Sequence, residues 1–228
     1  MKKVSFIVLS VVLLTACENH LKDDPGDISV LSSYEIGKMH NEALAYYHSK
    51  TSNALTPDQT VLLMEEFLIS EEKYDKETIR EGTKELMSTP EYNPMFNSKS
   101  AFDQNAMFAY LDAVSKRLGP SDKLINTLKQ VFTLGANSDP DVVRDYVIRN
   151  IKDKQWTGID KDLAYVFTDV FMHSYDYWTY TSETKLKKST LIILYDAGGA
   201  IHGMIFGPIF SIIESAALSA VVSETYPE

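Results

Sequence analysis

From residue 30 onward apolar side chains recur at spacings of three and four, and nowhere alternate over the length of a strand, so the pattern predicts helices throughout. The first covers 28–49, with Tyr34, Met39, Leu44 and Tyr47 among its apolar positions. Thr56-Pro57-Asp58 supplies an N-cap and a proline at the first helical position for a helix over 57–72, which buries Val61, Met64, Phe67 and Leu68. A polar helix over 75–87 has only Ile79, Leu86 and Met87 to bury and belongs at the periphery. Residues 89–99, with Pro90 and Pro94, are the longest interruption and the expected hinge. An amphipathic helix over 100–118 then buries Phe102, Met107, Tyr110, Leu111 and Val114 before Gly119-Pro120 stops it. Ser121 caps a helix over 122–134, and Asp139-Pro140 opens one over 140–154 that stacks Val142, Val143, Tyr146, Val147 and Ile151. Trp156-Thr157-Gly158 turns into a long aromatic helix over 159–180. No repeat of fixed period recurs, which argues against a solenoid.

The C-terminal stretch differs in kind. Residues 189–213 carry one charge, Asp196. Gly199, Gly203 and Gly207 are spaced by four, and Ser211, Ser215, Ser219 and Ser223 continue the row, forming a ridge without side-chain bulk. Another helix backbone can approach such a ridge closely. Pro208 lacks a donor and breaks the helix, leaving pieces over 186–206 and 208–223. The second is too short to span a bilayer, which needs about 20 helical residues. Asp196 and Glu214 would each cost ~2.5–3.5 kcal/mol at a bilayer centre. The expected fold is therefore all-α: an irregular multi-helix bundle of eight to nine helices with a buried Gly/Ser-ridged C-terminal helical hairpin. The competing expectation is a glycine zipper that inserts into membrane, as in a pore-forming or antagonistic factor or its immunity partner. A homo-oligomer interface is a third.

The first 27 residues read as an address. Met1-Lys2-Lys3 is basic, 4–14 is apolar with Ser5 and Ser10 as its only polar breaks, and Leu14-Thr15-Ala16-Cys17 follows. The apolar run suits a secretory signal and is too short for a transmembrane helix. This segment resembles the lipobox of bacterial lipoproteins. The resemblance implies cleavage before Cys17, the chain's single cysteine, and lipidation of its sulfur. Acyl chains contribute about 0.8 kcal/mol per buried methylene, so a multiply acylated Cys17 would anchor the domain. The expected organisation is a signal peptide over 1–16, a lipidated cysteine with an acidic tether over 17–29, and one helical domain over 30–228. The Lys22-Asp23-Asp24 step is similar to the surface-export signals of Bacteroidota lipoproteins and implies display on the outer membrane, facing outward.

Composition narrows the function classes. The 228 residues hold 32 acidic and 22 basic side chains, a net charge of −10, which argues against a nucleic-acid partner. A lone cysteine leaves neither a disulfide framework nor a Cys-rich zinc site. Gly37, His40 and Asn41 are locally unfavourable inside the first helix, and such violations mark either close packing or a site. Asp196 and His202 lie in apolar surroundings and need partners if buried; His40 is one that Asp196 could hold. Asp169, His173 and Asp176 share a helical face without a metal-site signature and read as an exposed polar face. The Tyr165, Phe167, Phe171, Tyr175, Tyr177, Trp178 and Tyr180 series holds more rings than one face buries, leaving some for a sugar- or peptide-binding surface. No hydrolase, nucleotide-binding or EF-hand motif is present, so no catalytic residue, metal or cofactor is assigned.

Together the lipobox, the Gly37/His40/Asn41 element and the tail from Asp196 to Ser223 resemble a group of uncharacterised Bacteroidota lipoproteins. The resemblance brings no activity. The expectation is a lipid-anchored envelope protein, not an enzyme, that binds a protein or glycan ligand; membrane action by the tail is the second reading and an envelope hydrolase the third.

Overall fold

The computed structural model describes residues 35–96, 103–180 and 186–225. The signal peptide, Cys17 and the tether lie outside them. Short polar side chains begin four of the helices, each accepting a bond from a backbone N–H that the first turn leaves unpaired. Helix α1 spans Ile36–Lys50 and α2 Pro57–Ser70, the latter opened by a capping box between Thr56 and Gln59. Asp75 caps α3, Lys76–Met87, and Asp103 caps α5, Gln104–Leu118. Ser121 caps α6, Asp122–Gly135. The remaining α-helices are α4 (Tyr92–Phe96), α7 (Pro140–Val147), α8 (Ile159–Tyr180), α9 (Leu186–Gly203) and α10 (Pro208–Thr225). The described residues thus hold ten α-helices and no strand.

Three local expectations are corrected. The 89–99 interruption contains helix α4, whose Tyr92, Met95 and Phe96 are buried, and it raises the helix count above nine. Val142, expected inside, is 50% exposed, because Val143 and Val147 take the inward face of α7. Helix α7 does not continue as an α-helix to 154. It widens into a π-turn over Ile148–Lys152, closed by the Asp153 amide donating to the Ile148 carbonyl at 2.9 Å.

The C-terminal hairpin is the centre of the molecule. Helix α9 packs against α5, α6, α7 and α8, while α10 packs against α1, α2, α3 and α4; α1 against α8 closes the side. From Ile209 to Val222 every residue of α10 is buried. The small residues sit where the two helix backbones meet. A methyl group at Gly203 would lie 2.5 Å from the Phe210 carbonyl oxygen and 2.6 Å from the Ser211 nitrogen. One at Gly199 would lie 3.1 Å from Ser215 Cα. So the ridge works across the hairpin, Gly199 against Ser215 and Gly203 against Ser211. Gly207 lies in the turn with φ of 120°, and Ser223 lies at the edge, bonded to the Ala220 carbonyl. Among the described residues no helix is long and apolar enough to cross a membrane.

Candidate functional site

Four of the five residues singled out in the sequence come together where α1 crosses α8 and α9. Helix α1 starts without a cap of its own: Glu35 is left-handed and its side chain bonds no first-turn amide. Asp169 on α8 supplies the missing acceptor, its Oδ2 taking the Gly37 amide at 2.8 Å. That contact needs glycine, since a methyl group at Gly37 would lie 2.6 Å from the Asp169 carbonyl and against the His173 ring. One turn on, Asn41 donates from Nδ2 to the His173 carbonyl at 3.2 Å, and its Oδ1 lies 2.9 Å from His40 Nδ1. His40 Nε2 then faces Asp196 Oδ2 at 3.4 Å, both side chains fully buried.

Asp196 gathers more. Ser174 and Ser219 donate their hydroxyls to its Oδ2, the latter at 3.0 Å, and Trp178 Nε1 donates to Ser219 Oγ at 3.2 Å. One carboxylate oxygen thereby ties α1, α8 and α10 to α9. A buried carboxylate needs such donors to offset its lost hydration. Serine and histidine both address the carboxylate here, and His40, Ser174, Asp196 and Ser219 are all buried. The cluster is a clasp between helices.

His202 does not belong to that cluster. Its Nδ1 lies 2.9 Å from both oxygens of Glu214 across the hairpin, and Tyr110 stacks on its ring at a centroid distance of 4.0 Å. Burial, with the nearby Glu214 carboxylate, pushes the Tyr110 phenol well above its ordinary pKa. Glu214 was passed over in the sequence as a site residue because nothing local distinguishes a buried glutamate from a surface one.

An accessible groove of about 680 Å³ lies between the 151–157 turn and α8. Buried Ile151, Ala164 and Thr168 form its floor, half-buried Trp156, Tyr165 and Met172 its sides. Lys152, Lys154 and Lys161 line it too, and Asp169 and His173 stand at its end. The indole is fixed: Trp156 Nε1 donates to the Ile151 carbonyl at 2.9 Å, and the Lys123 ammonium lies 4.9 Å from the ring centroid. Burial, then the Asp169 charge, raises the Tyr165 phenol pKa. The polar chain described above therefore begins at the groove, with Asp169 and His173, and runs through Asn41 and His40 to Asp196.

Of the aromatic series on α8, Phe167, Phe171, Tyr175 and Trp178 are core, Tyr177 is half-buried and Tyr165 lines the groove. Asp176 is exposed and stands apart from the Asp169–His173 pair. In the sequence Trp156 reads only as part of a turn, and Lys152, Lys154 and Lys161 only as positions on the helices either side of it, because the π-turn over Ile148–Lys152 has no periodicity to betray it. Among the described residues no three His, Cys, Asp or Glu side chains are grouped to hold a metal ion. Compared with known proteins, the chain matches no family model, no curated protein and no solved structure.

Proposed function

We propose that the protein is a lipid-anchored binding module of the cell envelope that holds a glycan or protein ligand in the Trp156 groove. The observation that carries this reading is the groove itself. It is a concavity of about 680 Å³, within the range of ligand sites, with aromatic side chains and a few polar groups in its lining. Its indole is held in place before any ligand arrives, which lowers the ordering cost of binding. The envelope half of the proposal rests on the Leu14-Thr15-Ala16-Cys17 pattern, with outward display on the outer membrane suggested by Lys22-Asp23-Asp24.

Membrane action by the tail would require α9 and α10 to leave the core around which every other helix is arranged, a cost no local feature offsets. The test has two arms. Palmitate labelling in a bacterial host should mark the wild-type chain and not Cys17→Ala. Envelope extracts of glycan and protein should shift the fluorescence of the wild-type chain and of Trp178→Phe, and leave Trp156→Phe unshifted. Absence of label removes the anchor; a shift that survives in Trp156→Phe removes the groove.

A further inference from the structure

We infer that the ligand of the Trp156 groove is an acidic saccharide, its ring stacked on the indole and its carboxylate or sulfate held by the lysines; this deepens the binding reading above and rests on it. The argument begins with a local reversal of charge. The chain carries 32 acidic against 22 basic side chains, yet the groove is lined by Lys152, Lys154 and Lys161 against one carboxylate, Asp169. That carboxylate is already engaged by the Gly37 amide. Among the neighbouring acids, Asp160 accepts from both the amide and the hydroxyl of Ser121, and buried Asp162, whose pKa burial raises, lies near enough to Lys161 for that ammonium to oppose the rise. Lys123 adds a further ammonium at the Trp156 ring. A basic cleft concentrates anions and gives neutral molecules no such gain, so its charge favours an anionic ligand.

The rings then select its shape. The Trp156 N–H is spent on the Ile151 carbonyl, so the indole offers a π-face and no donor. Such a face suits a flat apolar surface, of the kind the C–H side of a sugar ring presents. A bare inorganic anion would gain nothing from Trp156, Tyr165 and Met172, and a hydrocarbon would gain nothing from the lysines. Open toward solvent and lysine-lined, the groove fits a short oligosaccharide bearing a negative group.

The full chain in detergent micelles is titrated calorimetrically with trigalacturonate against its methyl ester, and with sialyllactose against lactose. At least one acidic member should bind about tenfold tighter than its neutral counterpart. That preference should shrink in high salt and in Lys152→Ala/Lys154→Ala, whose altered side chains are exposed and carry no packing. Equal binding of acidic and neutral members, lost in Trp156→Ala, overturns the acidic ligand and leaves the groove as the site. Binding by neither acidic saccharide overturns the inference, and so does capture of hexaglutamate in their place. Binding untouched by Trp156→Ala overturns the groove reading as well.

Discussion

His202 and Glu214 face each other across the hairpin, one imidazole nitrogen equidistant, at 2.9 Å, from both carboxylate oxygens, with neither side chain reaching solvent. Such a pair is expensive to break and cheap to replace, because removing one partner strands the other without water. Glu214→Ala should destabilise the fold by about 3 kcal/mol or more, while His202→Phe combined with Glu214→Leu should recover most of that loss. Denaturant titration of the three proteins reads the difference; equal losses in single and double variants would refute it.

Gly203 has backbone, not side chain, where a methyl group would go. Gly203→Ala should therefore cost about 3 kcal/mol, the upper end for overpacking, since helix axes must move apart. Gly119 makes the control: it is left-handed with φ of 68° and has open space around it. Gly119→Ala should cost only about 1 kcal/mol, the conformational term alone. Matching losses from thermal or denaturant melts would mean the hairpin does not depend on close approach.

Most of this architecture was legible in the chain. Caps at Thr56 and Ser121 and the break at Pro208 fall at helix starts because their chemistry is local. The small-residue row was legible as a close crossing, and Asp196 as a buried acid in need of a partner. What escaped was non-local. Nothing near Glu214 in sequence announces His202, and nothing near Asp169 announces that it caps another helix. Val142 was misplaced because a helical stripe one position wide of the true one fits the same residues equally well. The groove went unseen because it depends on a change of helical winding.

Tyr110 gives the fold an alkaline limit. Its phenol is held neutral by burial and by Glu214, so its folded pKa lies well above the ordinary 10.0. The sign follows: below pH 10 both folded and unfolded states are protonated, and above it only the unfolded state releases the proton. Stability should fall by about 1.4 kcal/mol per pH unit above pH 10 for such a tyrosine. Tyr92 is shifted the same way by burial. Tyr110→Phe removes the titrating hydroxyl and should flatten the alkaline slope. Unchanged alkaline slopes would contradict the assignment.

Asp169 caps a helix it does not belong to. Asp169→Ala should cost about 1 kcal/mol, the usual worth of a cap, and raise amide exchange in the first turn of α1 selectively. Exchange that stays slow at Gly37 and its neighbours would show that the contact does not hold the helix start.

The π-turn over Ile148–Lys152 amounts to one more residue than an α-helical winding would use. An α-helix rotates about 100° per residue, so deleting one position there would rewind the turn and swing Lys152, Lys154 and Trp156 away from α8. The helices around the hairpin would survive such a loss, being held by contacts elsewhere. The groove would not. Its lining depends on a single-residue insertion, so a chain that shed one residue at this point should keep the bundle and lose the Trp156 groove.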